Sequence, residues 1–207
     1  MTCAALIPLK TLGLGKTRLS PDLCSGHRKH LVETMLGAVI KALTESARLD
    51  QIAIVGMDPL QCPAHVLHLP DPGQGLNAAL AFGRHQLRRL GAVELLMIHA
   101  DLPLVTGKDI DAFISAGRQR GIAMAGDRHG SGTNALFLQA RSDFRFCFGE
   151  NSLTKHLQQA DICGLQPALS RSPGLMIDID TPQDLSLLLG ANNNTFEPSL
   201  MRMLSHA

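Results

Sequence analysis

Glu94-Leu95-Leu96-Met97-Ile98-His99-Ala100-Asp101-Leu102-Pro103 is the stretch on which the fold of this chain turns. From Glu94 to Ala100 it is apolar almost throughout, without the in-and-out alternation of a strand that keeps one face in water. A strand buried on both faces belongs at the centre of a mainly parallel sheet covered by helices. Asp101-Leu102-Pro103 ends the run and leaves one carboxylate at the rim, either a helix-entry cap or a metal ligand.

Outward from this strand the pattern alternates. Short apolar runs predict strands at 3–9, 51–57, 65–69, 122–125, 134–140 and 175–180. Helical spacing predicts helices at 26–47 and 76–90. Thr106, with Asp109 three residues on, opens a helix to about Arg120. Ser152 to Asp161 is a further short helix, and Thr181-Pro182 with Asp184 starts the last. Strands alternating with helices indicate a three-layer α/β/α fold with a mainly parallel sheet. Residues 1–191 are expected to form one domain, and the Asn-rich stretch 192–207, which has no core pattern, to be a mobile tail. Ligands of such sheets bind beyond the carboxyl ends of the strands.

Bulk composition narrows the function. The chain has 207 residues, 45% hydrophobic and 18% charged, an ordinary globular balance. A formal net charge of +1 supplies no field to recruit nucleic acid or an anionic membrane. With no Trp, no Tyr and 7 Phe there is no platform for stacking bases. Five scattered cysteines (Cys3, Cys24, Cys62, Cys147, Cys163) make no local C-x-x-C site and fit a reducing compartment. No run has signal-peptide or membrane-span character. The expectation is a cytoplasmic enzyme or binding protein. The apolar helix faces would serve a homodimer as readily as a core.

The strand ends carry the candidate chemistry. Lys10, Lys16 and Arg18 share the loop after the first strand and could neutralise a polyphosphate; an ordinary solvated loop is the plainer reading. Gly15-Lys16-Thr17 mimics the end of a P-loop, but Lys10 stands where that motif needs glycine, and Pro21 cuts short the required helix. Asp71-Pro72-Gly73-Gln74-Gly75-Leu76-Asn77 puts glycines before a helix N-terminus, suited to an anion or a polar base edge, or to plain capping. Asp178 and Asp180 alternate with Ile177 and Ile179, so on a strand both carboxylates face one side. Like charges at that spacing repel unless a cation lies between them. Together with Asp101 they favour Mg2+ over helix capping. Asp127-Arg128-His129-Gly130-Ser131-Gly132-Thr133-Asn134-Ala135-Leu136 reads equally as an anion-holding concavity or as a tight hairpin turn. No zinc spacing of histidines occurs, and His27, His30, His65 and His68 read as surface or structural. No G-x-S-x-G elbow is present.

Taken together, these motifs resemble the guanylyltransferases of deazaflavin coenzyme F-420 biosynthesis. Ile7-Pro8-Leu9-Lys10 with Lys16-Thr17-Arg18-Leu19-Ser20-Pro21 is similar to their opening, and Asp71 to Ala79 to their nucleotide loop. Asp101-Leu102-Pro103-Leu104 is similar to their metal-bearing strand end, and Asp127 to Leu136 to their most recognisable segment. Phe148-Gly149-x-x-Ser152 and Ser172-Pro173-Gly174 through Asp184 complete the series, in consistent order over roughly residues 3 to 190.

The resemblance implies a nucleotide-diphospho-sugar-transferase-like fold. It also implies transfer of GMP from GTP to 2-phospho-L-lactate, phosphoenolpyruvate or 3-phospho-D-glycerate, with release of pyrophosphate. By matching position, Thr133, Gly149 and Ser152 would hold the phospho-acid, and Asp101, Asp178 and Asp180 the Mg2+. Leu9, Gly75 and Asn77 fall in the segments that would hold the nucleotide. The product would be unstable and pass to the next transferase. A phosphate acceptor is already an anionic nucleophile, so no serine, cysteine or general base is needed. Lys10, Lys16 and Arg18 would neutralise the triphosphate and the leaving pyrophosphate. A molybdopterin-type nucleotidyltransferase would need a Gly-Gly-rich loop where Pro8-Leu9-Lys10 stands. A non-catalytic nucleotide-binding protein of the same fold is the reading from another class.

Overall fold

The computed structural model describes residues 2–9, 16, 19 and 23–190. Lys10 and Arg18, most of the loop that carries them, and the expected tail at 192–207 lie outside the described residues. The strands are β1 (Cys3–Pro8), β2 (Gln51–Val55), β3 (Leu67–Leu69), β4 (Glu94–Ile98), β5 (Ile122–Gly126), β6 (Thr133–Gln139) and β7 (Ala168–Leu169). The helices are α1 (Ser25–Glu45), α2 (Leu76–Arg89), α3 (Gly107–Arg120), α4 (Ser152–Ile162), α5 (Pro173–Met176) and α6 (Pro182–Gly190). One sheet runs β3-β2-β1-β4-β6-β5-β7, with β4 at its centre. Every pairing is parallel except the two that β6 makes with β4 and β5.

Both faces of the sheet are covered, which is why its strands read as continuous apolar runs. Cys3, Ala5 and Ile7 of β1 and Leu96 and Ile98 of β4 join α1 and α3 in one core. Their alternates Ala4, Leu6, Leu95 and Met97 join α2 and α4 in the other. Each fully buried Leu or Ile contributes about 1.5–3 kcal/mol. Gly117 lets α3 lie close on the sheet, since a Cβ there would come within 2.2 Å of the Phe137 ring. A third cluster joins Leu31 and Met35 of α1 to Ile179, Leu185 and Leu188, fastening the last segment to the first helix.

The start signals at Thr106 and Thr181 act as the sequence indicates. The Thr106 hydroxyl accepts from the Asp109 amide at 3.2 Å, and Asp109 accepts from the Thr106 amide at 2.9 Å. Thr181 and Asp184 repeat the exchange at 3.3 and 2.7 Å. Among the described residues no helix is long and apolar enough to cross a membrane.

The expected strand at 175–180 is overturned. Pro173–Met176 is a helical turn, with Pro173 at its first position. Residues 177–180 form no regular element. The Ser172 hydroxyl donates to Asp109 at 2.5 Å, and Gly174 lies so near the Leu104 and Val105 backbone that a Cβ would meet it at 2.9–3.0 Å. These contacts pin the segment in a turn. Beyond it, the Ile179 amide still donates to the Asp101 carbonyl at 3.2 Å. The short strand β7, paired with β5, is an addition to the expected pattern.

A bulge in β6 sets the direction of two side chains. Ala125 pairs with Ala135, but the next residue of β5, Gly126, pairs with Thr133, so Asn134 is an extra residue. Without it Thr133 would share the α3 face with Ala135 and Phe137. Instead Thr133 meets His156 of α4, while Asn134 reaches Leu175 on the opposite side.

Candidate active site

Asp101 lies three residues beyond the end of β4, and the segment beyond α5 brings Asp178 and Asp180 to the same rim. One carboxylate oxygen from each of the three lies within 4.8 Å of the others. Lys16 enters from the loop after β1, its ammonium 2.5 Å from both Asp101 Oδ2 and Asp180 Oδ1. Its backbone is left-handed, with φ 58°, a state that opposes a side chain by roughly 1–2 kcal/mol. Burial works against charge here. Even so, the Lys16 ammonium holds the Asp101 carboxyl below its ordinary value, and Asp101 and Asp180 raise the Lys16 ammonium above its own. Asp178 lacks that ammonium as a hydrogen-bond partner. Burial, then repulsion from Asp101, pushes its carboxyl up to about 6.

The donor set fits a hard divalent cation. Three carboxylates against one ammonium leave a negative surplus, and all-oxygen donors are what Mg2+ prefers. Oxygens within 4.8 Å of one another are near the spacing of ligand oxygens around such an ion. Asn134 steadies one of the three. Its Nδ2 lies 3.2 Å from the Leu175 carbonyl, 3.3 Å from the Met176 carbonyl and 3.3 Å from Asp178 Oδ1.

Beside the acidic cluster is a cavity of about 220 Å3, lined by Pro8, Leu9, Val55, Asp71, Leu76, Ala79 and His99. Its walls are apolar, with one carboxylate and one imidazole among them. Gly75 stands at the N-terminus of α2 with φ 89°, and no side chain caps that helix. Of the three candidate nucleotide residues, Leu9 lines the cavity and Gly75 frames the adjacent helix start. Asn77 faces elsewhere. Its amide pairs with the Phe148 backbone in both directions, 3.1 Å to the carbonyl and 2.8 Å from the amide.

The Gly-rich turn between β5 and β6 is filled by its own residues. The Asp127 carboxylate accepts from the Ser131 and Gly132 amides, each at 2.8 Å, and from the Ser131 hydroxyl at 2.9 Å. Arg128 pairs with Asp184 at 2.5 Å. An external anion would find these donors engaged, so within this segment the turn reads as structural.

Thr133, Gly149 and Ser152 lie around the start of α4. Asn151, left-handed at φ 54°, gives that helix no side-chain cap. The Leu153 amide donates to the Ser131 carbonyl at 3.1 Å, seating the helix start against the turn. Gly149 has φ 122°, a backbone state open chiefly to glycine, and Ser152 is buried. Thr133 Oγ1 lies 2.9 Å from His156 Nδ1. His156 and Asn134 carry no local signal in the sequence. Their partners are 23 and 44 residues away.

A family model described as "Guanylyl transferase CofC like" matches residues 3–206. A phosphoenolpyruvate guanylyltransferase of Sphaerobacter thermophilus is 40% identical over 92% of this chain and 94% of its own. Another, of Rubrobacter xylanophilus, is 35% identical over 96% and 98%. Among solved structures, a chain from Desulfovibrio desulfuricans G20 assigned to the nucleotide-diphospho-sugar transferases superposes with a TM-score of 0.80. The match covers 99% of this chain and 95% of that one. At 15% identity that likeness shows the fold.

Proposed function

We propose, from the premise that the chain belongs to the CofC-like guanylyl transferase family, that it joins the guanylyl group of GTP to the phosphate of a small three-carbon phospho-acid in coenzyme F-420 biosynthesis. The observation that carries this reading is the convergence of Asp101, Asp178 and Asp180 around Lys16 at the rim of a nucleotidyltransferase-like sheet.

An oxygen of the acceptor phosphate bonds to the α-phosphorus of GTP as the α–β bridging bond breaks. The electron pair leaves with pyrophosphate. No proton has to move, because the attacking oxygen is already anionic. The barrier is repulsion between two polyanions, which positive charge and in-line placement relieve. Mg2+ held by Asp101, Asp178 and Asp180 would supply that charge on the phosphates. Lys16 adds a cation beside it, and Lys10 and Arg18 share the triphosphate's charge from the same loop. Leu9 and the Gly75 helix start receive the nucleoside, with the apolar cavity taking the base. Asn77 serves that side indirectly by holding Phe148.

The acceptor's phosphate is received by Thr133, Gly149 and Ser152. An uncapped helix start favours an anion through the helix dipole, although its Leu153 amide is already engaged by the Ser131 carbonyl. The two named relatives, at 40% and 35% identity, support phosphoenolpyruvate as the acceptor. A labile phosphoanhydride as product favours direct hand-off to the next transferase.

The test is pyrophosphate release from GTP and Mg2+ with each of phosphoenolpyruvate, 3-phospho-D-glycerate and 2-phospho-L-lactate. Release is expected to require an acid, with phosphoenolpyruvate the best. GTP binding without release for any acid would mean a binding protein instead.

A further inference from the structure

Resting on that reading of the acceptor pocket, we propose that His156 is a positioning residue that fixes the Thr133 hydroxyl as a hydrogen-bond donor toward the acceptor's anionic group. The Cys147 amide lies 2.9 Å from His156 Nε2 and can only donate. Nε2 must therefore present its lone pair, and the proton of the neutral imidazole belongs on Nδ1. Thr133 Oγ1, 2.9 Å from Nδ1, is then the acceptor of that proton. The threonine's own hydrogen is turned away from the ring. A hydroxyl so committed suits an anionic oxygen and disfavours a donor in the same place.

The ring has little freedom to escape this arrangement. His156 is 0% exposed, and burial, followed by repulsion from His99, lowers its pKa to about 4. Phe148 meets it edge-on at 4.6 Å between centroids, and Phe144 lies at 5.7 Å. Phe148 is in turn held by Asn77 of α2. The bulge at Asn134 is what turns Thr133 to this side of the sheet. Three separated segments thus converge on the orientation of one hydroxyl.

Two substitutions divide the ring's two hydrogen bonds. In His156→Asn the amide nitrogen reaches the place of Nδ1 and can still donate to Thr133. In His156→Gln the amide sits at the place of Nε2, keeps the Cys147 contact and leaves Thr133 without its donor. Steady-state kinetics of the full chain should show the KM for the phospho-acid raised about tenfold in His156→Gln. Rescue to within about threefold of wild type is expected in His156→Asn, with the KM for GTP unchanged in both. Equal effects of the two variants, or parallel rises in both KM values, would overturn the proposal. The 15N shifts of the histidine ring in the unliganded protein test it without turnover. A proton on Nδ1 is expected, and a proton on Nε2 would refute it. Should the wild-type chain use none of the three acids, the acceptor reading fails, while the ring measurement still decides the hydrogen-bond arrangement.

Discussion

On one side of the site three carboxylates and an ammonium crowd the rim of the sheet; on the other the Thr133 hydroxyl, the His156 ring and the Cys147 backbone amide are joined by neutral hydrogen bonds. The charged side is partly open, with the Asp180 side chain 46% exposed, and the Thr133 side is buried, with Thr133 3% exposed. Coulomb attraction falls slowly with distance and hardly depends on angle. Carboxylates that hold an ammonium could therefore take a metal beside it with small movements. A neutral hydrogen bond weakens steeply once misaligned, so the other side works only in one arrangement. On the proposed roles, the charged side would adapt to a cation and the neutral side would select by orientation.

The largest break in this contrast should come from removing charge without changing shape. Asp101→Asn keeps the volume but takes away the carboxylate that lies beyond the strand end and pairs with Lys16. Guanylyl transfer, read as kcat/KM at ordinary Mg2+, should fall on the order of 10^3-fold. Activity within tenfold of wild type would remove the charged side from the mechanism.

Acid should strike the neutral side next. His156 titrates at about 4 when folded against its ordinary 6.5, so the unfolded chain takes up the proton first as pH falls. Its stabilising contribution is full above about 6.5 and is lost between there and 4, in total roughly 3 kcal/mol. Urea unfolding across that range should show the loss in wild type and a shallower slope in His156→Asn. Equal slopes would mean that the ring is not held neutral by the fold.

The smallest and most selective effect is expected at Thr133→Val, which preserves shape and removes one hydroxyl. The KM for the phospho-acid should rise about tenfold while that for GTP stays within twofold. Loss of GTP binding instead would reverse the assignment of the two sides.

What could be read beforehand divides along the same line. The apolar run of β4 places Asp101 at a rim, and the Thr106 and Thr181 caps mark their helices, because each signal is local. The alternation from Leu175 to Asp180 is genuine but does not make a strand. Pro173 opens a helical turn, and residues 177–180 after it form no regular element. Asp178 and Asp180 nevertheless reach Asp101, held there by buried Ile179 and the hydrogen bond its amide donates to the Asp101 carbonyl. Asp127 looks in sequence like part of an anion-binding turn, and only its hydrogen bonds reveal that it is the anion. Asn134 and His156 are invisible because polar residues inside apolar patterns show no partner until the chain is folded.

The extra residue at Asn134 makes the length of the β5–β6 connection a matter of phase. Surface hairpins ordinarily absorb insertions and deletions, whereas this one counts residues. Losing one would put the strand back in step and exchange the destinations of two neighbouring side chains, sending the hydroxyl toward α3 and the amide toward α4. The composition of the strand would hardly change, yet both sides of the site would lose their contacts together. Along this connection, substitutions should be tolerated far more readily than changes of length.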